Sequence, residues 1–209
     1  MDSDRKVELK DSSYSETAER NYRDGRQLAA EQKQDIATII RRQGLKGQSL
    51  SGFDLSGVDL HQANLSDSDL SDINLSDANL KGANLSNANL QDADLIRSNL
   101  RDANLNGANL QNAYLNDSKL KGSSLKGVDL TNAYLSDACL KCADLSGANL
   151  SGAILLDADL RECKLDGAIV EGASFSDNRG VSKSLKQNLR RRGAIFEDSA
   201  SGSEFFDRA

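Results

Sequence analysis

Ala78-Asn79-Leu80-Lys81-Gly82 and Ala103-Asn104-Leu105-Asn106-Gly107 are two instances of one pattern. From Leu45 to Leu165 every fifth residue is Leu without a miss, and Val170 and Phe175 hold the same register. Two residues before most of them stands a small side chain, usually Ala or Ser. A period of five fits neither a helix nor a strand, whose side chains repeat at about 3.6 and 2.0 residues. A long exact period of this kind is the mark of a solenoid. The residue two after each Leu is Gly, Asp or Asn in all but four repeats. These residues tolerate the positive φ that a type II turn requires. Gln62, Arg97, Cys142 and Glu162 are the exceptions, and their corners are expected to turn differently. The chain has no Pro, which suits a fold whose backbone N–H groups donate from coil to coil.

The run resembles the pentapeptide-repeat family, whose pattern is A(D/N)LXX, and its plain style looks most like the cyanobacterial members. The resemblance implies an all-β solenoid, a right-handed quadrilateral β-helix in which four pentapeptides make one square coil of twenty residues. The central Leu and the residue two before it would point inward and the other three outward. Coils stacked about 4.8 Å apart would then form a rod roughly 32 Å tall. Phe53, Val58 and Ile73 are large residues at inward positions usually held by Ala, so the rod should widen or merge with its cap near that end.

The flanks divide the chain further. Residues 1–25 are charged and aperiodic, and read as a flexible segment. Residues 26–43 read as an amphipathic helix with Leu28, Ala29, Ile36, Ile39 and Ile40 on one face and Gly44 as its stop. It would cover the first coil, whose backbone is otherwise an open edge. The repeat spans residues 44–177. In residues 178–196, Ser182 can N-cap a helix through Arg192, with Gly193 as its C-cap. Ala194-Ile195-Phe196 then returns as a short apolar segment, and together they read as a C-terminal cap. Residues 197–209 read as a flexible tail in which Phe205-Phe206 is either a frayed end or a short docking peptide.

Composition narrows the function. With 4% aromatics and no Trp, a conventional globular core is not expected. A net charge of −6 argues against direct binding to nucleic acid or to membranes. The N-terminus carries no signal-peptide pattern, and no stretch is long and apolar enough to span a bilayer. Three cysteines in such a chain suggest a reducing compartment, here the cytoplasm. Cys139 and Cys142 form a lone C-x-x-C with no second pair or nearby His to complete a zinc site, and Cys163 takes an inward Ala position. The single His, His61, has no nucleophile assigned to it by sequence. No catalytic residue, metal or cofactor is expected.

Stepping by twenty residues folds the sequence into four faces. The face centred on Leu60 to Leu160 carries a basic column, His61, Lys81, Arg101, Lys121, Lys141 and Arg161, with Lys119 beside it. The face of Leu50 to Val170 is acidic outside, through Asp69, Asp72, Asp92, Asp129 and Glu171. The face of Leu55 to Phe175 carries a corner column of Asp77, Arg97, Asp117, Asp137, Asp157 and Asp177. Stacked like charges repel, so these columns are either partner surfaces or residues copied upward as the repeat duplicated. On the last face Tyr114, Tyr134 and Ile154 share one outward position in consecutive coils, flanked by Ile96 and Leu156. Aromatic stacking is itself stabilising. An apolar strip rimmed by Asp117, Asp137 and Asp157 is also what a contact site requires. The expected function is therefore a non-enzymatic interaction module or scaffold for a protein partner, acting as a monomer or weak homodimer. The alternative, drawn from the family, is an acidic mimic of DNA that binds a type II topoisomerase such as DNA gyrase, or another DNA-binding protein.

Overall fold

The structure is a computed structural model and describes residues 30–176 and 178–196. Its body is a continuous coil in which each residue lies beside the one twenty positions on. Parallel bridges such as Asn79↔Asn99, Tyr114↔Tyr134 and Cys139↔Asp159 fix that step along the length of the repeat. Corners with φ near +60° fall every five residues, so each coil has four sides. Every fifth-residue Leu from Leu45 to Leu165 is buried, as are Val170 and Phe175. Each buried Leu contributes roughly 1.5–3 kcal/mol before chain entropy opposes it.

In a repeat that carries Asn or Asp before Leu, the five backbone N–H groups can all find a partner. In the repeat around Leu80, Asn79 donates to Val58 of the preceding coil at 2.9 Å and Leu80 to Asn99 of the next at 2.8 Å. The corner residue Gly82 donates to Arg101 at 2.8 Å, and Ala83 closes the turn onto Leu80 at 3.0 Å. The fifth group, Lys81 N–H, donates to the Asn79 side chain at 3.3 Å. That last bond recurs at most repeats where Asn or Asp precedes Leu, as in Ser56 to Asp54 and Ser76 to Asn74, both at 3.0 Å; Asn99 is an exception, its side-chain oxygen having no partner. The Asn side chains also pass a hydrogen bond from coil to coil: Asn79 donates to Asp59 at 2.8 Å and Asn99 to Asn79 at 3.0 Å.

Several expectations need correction. Gln62, Arg97, Cys142 and Glu162 do not turn differently: their φ values, 55°, 56°, 59° and 59°, match every other corner. The inter-coil bonds dictate the turn and the side chain bears the strain. Arg97 N–H donates to Asn116 at 3.0 Å, as the corner geometry demands. Val58 and Ile73 are fully buried, but Phe53 is only partly so, because it lies at the margin of the first coil. Cys163 is also half-exposed rather than fully enclosed, though burial still pushes its thiol up to about 12.

Helix α1, Ala30–Gln43, precedes the first coil and buries Ile36, Ala37 and Ile40 in the same core; Ile39 is less covered than Ala37. Residues 26–29, with Leu28 and Ala29, lie outside the described residues, as do residues 1–25, 197–209 and Asp177. Lys33 pairs with Asp54 at 2.7 Å and Arg41 with Asp59 at 3.1 Å, tying α1 to the rod. Gly44 ends it with φ 71°.

At the other end Asn178 takes the inward position. Its amide donates to the carbonyls of Leu155 and Ala158, and its oxygen accepts from Ser176 at 2.9 Å. Gly180 follows at φ +91°, where a Cβ would lie 2.5 Å from the Arg161 backbone. Helix α2, Lys183–Arg191, is N-capped by Ser182 and stops one residue short of the expected Arg192, which is its C-cap. Strand β1, Ser174–Phe175, then pairs in parallel with β2, Ile195–Phe196, so the return segment adds a partial rung. Phe175 and Phe196 stack at 5.1 Å, and Leu189 of α2 is buried with them.

The corner analysis can be checked at Gln62. A left-handed residue other than Gly costs about 1–2 kcal/mol, and Gly forfeits about 0.5–1 kcal/mol of chain entropy. Gln62→Gly should therefore raise stability by about 0.5–1 kcal/mol in denaturant unfolding. A loss of stability would mean that this corner is not strained.

Candidate interaction surface

Tyr114 and Tyr134 lie directly above one another, paired through a bridge, with ring centroids 5.0 Å apart and planes 8° from parallel. They are 44% and 38% exposed although the rings stack. Ile154 continues the column one coil on, half-buried, and Ile96 and Leu156 flank it, also half-buried. The corner carboxylates Asp117, Asp137 and Asp157 are exposed beside the strip. Sequence reasoning thus placed these eight residues together on one face.

Two exposed apolar residues were missed. Bridges run from Ile154 to Ser174, and Ser174 pairs with Ile195, so Ile195, 53% exposed, stands two rungs beyond Ile154 in the same column. Its place depends on which rung the return segment joins, which no local pattern specifies. Ile169, 54% exposed, lies beside Asn149 on the neighbouring face. Its signal was present: Ile occupies a position that the repeat gives to Asn or Asp.

The same substitution defines the Tyr strip. Lower in this column Asp54, Asn74 and Asp94 each accept the N–H of the residue two on, Ile96 donating to Asp94 at 2.9 Å. Tyr114, Tyr134 and Ile154 have no such acceptor. Among the described residues, no side chain accepts from the N–H groups of Asn116, Ser136 and Leu156.

The basic column is unevenly neutralised. His61 contacts Asp59 at 2.9 Å, Arg161 pairs with Asp159 at 2.6 Å and Lys141 with Glu162 at 3.5 Å. Lys81, Arg101 and Lys121 form no ion pair among the described residues. In the corner column Arg97 grips Asp77 through two bonds of 2.8 and 2.6 Å and holds its carboxyl below the ordinary value. Among the described residues, no set of three or more His, Cys, Asp or Glu could hold a metal ion, and no helix is long and apolar enough to cross a membrane. Cys139, Cys142 and Cys163 are free thiols, and Cys142 donates to Glu162 at 3.4 Å.

The Asn/Asp position also sets a pH dependence. Asp144 accepts the Ser146 hydroxyl at 2.6 Å and its N–H at 3.1 Å. With Lys126 and Lys164 nearby, these bonds lower its pKa from 3.8 to about 2. A depressed folded pKa stabilises the fold above the unfolded value, and the gain is lost as pH falls through the folded one. Asp144→Ala should therefore be less stable than the parent above pH 3.8, with the gap closing toward pH of about 2. Parallel acid-unfolding curves with a constant gap would contradict this.

Comparison with known proteins agrees with this architecture. The family model described as pentapeptide repeats matches in 8 copies over residues 45–77, 73–112, 108–141 and 138–177. Among solved structures, a trypsin-treated variant of QnrB1, a plasmid-mediated fluoroquinolone resistance protein, is similar at 17% identity and TM-score 0.59, over 71% of this chain and 89% of that one. HetL, involved in heterocyst differentiation regulation in the cyanobacterium Nostoc sp. strain PCC 7120, is 29% identical over 62% of this chain and 83% of its own, at TM-score 0.34. Rfr23 of the cyanobacterium Cyanothece 51142 is 25% identical over 71% and 91%, at TM-score 0.37. No curated protein matches the chain. The family model covers the whole run of stacked coils, so this chain belongs to the pentapeptide-repeat family.

Proposed function

We propose that the chain is a non-enzymatic interaction module that presents the Tyr114, Tyr134 and Ile154 ladder, with Ile96 and Leu156, to a protein partner. One observation carries this reading. At three successive rungs the strip replaces an acceptor that the repeat uses for its own backbone with an apolar side chain. A column maintained for folding alone would keep the Asn or Asp. The rim of Asp117, Asp137 and Asp157 suits a partner with Arg or Lys around an apolar centre. The strip reaches roughly 20 Å, which is small, so the contact is weak or transient, or doubled in a homodimer.

The working unit runs from α1 to β2, organised as a right-handed quadrilateral β-helix between helical caps. In this reading α1 and α2 with β2 shield the open edges of the first and last coils from pairing with other chains. The free thiols suit a reducing, cytoplasmic setting. The alternative, an acidic DNA mimic for DNA gyrase, draws on the exposed Asp column. Duplex DNA carries about one charge per 1.7 Å of axis, and the unpaired cations Lys81, Arg101 and Lys121 would meet a DNA-binding groove with the wrong sign.

Affinity capture of a partner by the full chain should be lost with Tyr114→Ser, Tyr134→Ser while the thermal unfolding curve stays cooperative. Tyr134→Ser alone should weaken binding by about 1 kcal/mol or more if the ladder is a hot spot. Equal binding by parent and double variant would return the strip to a structural role. Deleting residues 182–196 should expose the last coil and produce aggregates on size-exclusion chromatography; an equally stable monomer would remove the capping role.

A further inference from the structure

The face centred on Leu60 to Leu160 has opposite charge at its two edges. Along each coil the chain enters this face at one corner and leaves it at the next. The entry corners are Asp77, Arg97, Asp117, Asp137 and Asp157, and the basic column from Lys81 to Arg161 stands at the exit. Both columns advance by the same twenty-residue step. Between them runs a central column, Asn79, Asn99, Lys119, Cys139 and Asp159, joined rung to rung by bridges. Asp117, Asp137 and Asp157 form no ion pair among the described residues, and neither do Lys81, Arg101 and Lys121. Each edge is separated from the other by the width of the face.

We propose that this face binds a second copy of the chain, with the rods parallel and related by a two-fold axis along their length. That symmetry turns left into right and leaves height unchanged. Each entry edge then opposes the partner's exit edge at the same level. Asp117 meets the Lys121 column, Asp137 the Lys141 column and Asp157 the Arg161 column of the other copy, and each contact occurs twice. Three like-charge contacts remain: Arg97 opposite Arg101, with its charge already held by Asp77 at 2.6 Å; Asp159 opposite its own counterpart, held by Arg161 at 2.6 Å; and Lys119 opposite its own counterpart, which the flanking Asp117 rows must outweigh. Antiparallel rods would set Asp against Asp and Lys against Lys, so charge selects the parallel arrangement. The Tyr114–Tyr134 strip is not part of this contact. It lies around the corner on the neighbouring face, so the dimer would offer two such strips. The contact is narrow and polar, so it is weak and sensitive to salt.

An axial two-fold makes each residue of the central column face its own counterpart, and Cys139 is in that column. The full chain with Cys142→Ser and Cys163→Ala leaves Cys139 as its one thiol. A short bismaleimide should crosslink this protein to a dimer at low salt and much less at 0.5 M salt, where screening shortens to a few ångströms, about 4 Å. Lys121→Glu with Lys141→Glu should abolish the crosslink. So should Asp117→Arg with Asp137→Arg, a change that Arg97 shows a corner can hold. An equimolar mixture of the two charge variants should recover it, because both edges are then complementary. Restoration also shows that each variant is folded. Sedimentation as a monomer at low salt, a crosslink indifferent to charge reversal, or failure of the mixture to crosslink would each overturn the proposal, and none would touch the Tyr strip.

Discussion

Every other feature of this molecule depends on one constraint: in each repeat, five backbone N–H groups must be satisfied while the chain turns a right angle. Three of them donate to neighbouring coils, one closes the turn, and one is left over at the residue after Leu. A buried or half-buried amide without a partner is costly, so the leftover group has to be met locally. Asn or Asp just before Leu does this, reaching two residues forward, as in Ser76 to Asn74. The turn in turn requires a left-handed corner, which Gly, Asn and Asp adopt at least cost. The repeat pattern is the list of residues that meets these demands together.

That logic explains which parts of the fold were legible in the sequence. The inward Leu and Ala columns follow from the period, and the corners follow from the excess of Gly, Asp and Asn. The role of Asn and Asp before Leu was not legible, because it depends on knowing which amide the coil leaves unpaired. The four unusual corners were misread for a related reason. Propensity favours another turn at Arg97 or Cys142, but bonds to the neighbouring coils, from Arg97 N–H to Asn116 and from Cys142 N–H to Arg161, fix φ near 60° regardless. In a solenoid each corner is held from above and below, so tertiary pairing overrides local preference.

The ends were partly legible. Ser182 as an N-cap and Gly44 as a stop are local signals, and both are present. Asn178 is not local in the same sense. Its identity matches many other Asn residues in the chain, yet among the described residues it alone of them takes an inward position and binds two carbonyls of the preceding coil. Likewise, the placement of Ile195 above the Tyr column depends on β2 joining the rung beyond β1. Sequence periodicity ends at Phe175, and so does its power to place side chains.

The surface is where the repeat leaves freedom, but that freedom is unequal. At the position after Leu, side chains point outward and few carry a backbone duty (Asn106 and Ser176 each accept one N–H), so Lys, Arg, Ser, Gln or Ile can stand there at little cost. At the position before Leu, replacing Asn or Asp removes an acceptor from the next amide but one. Tyr114, Tyr134 and Ile154 make that replacement three times in succession, and stacking at 5.0 Å offsets it for the two Tyr rings only. Ile154 has no ring to stack, so its column continues past the point where ring stacking could sustain it. For the basic column the inference is weaker at each single residue, since most of its members occupy the free position. What distinguishes it is the opposed Asp edge at the same pitch across one face. A duplicating repeat can copy one charge upward, but the core sets no demand that the opposite edge of the same face carry the opposite sign.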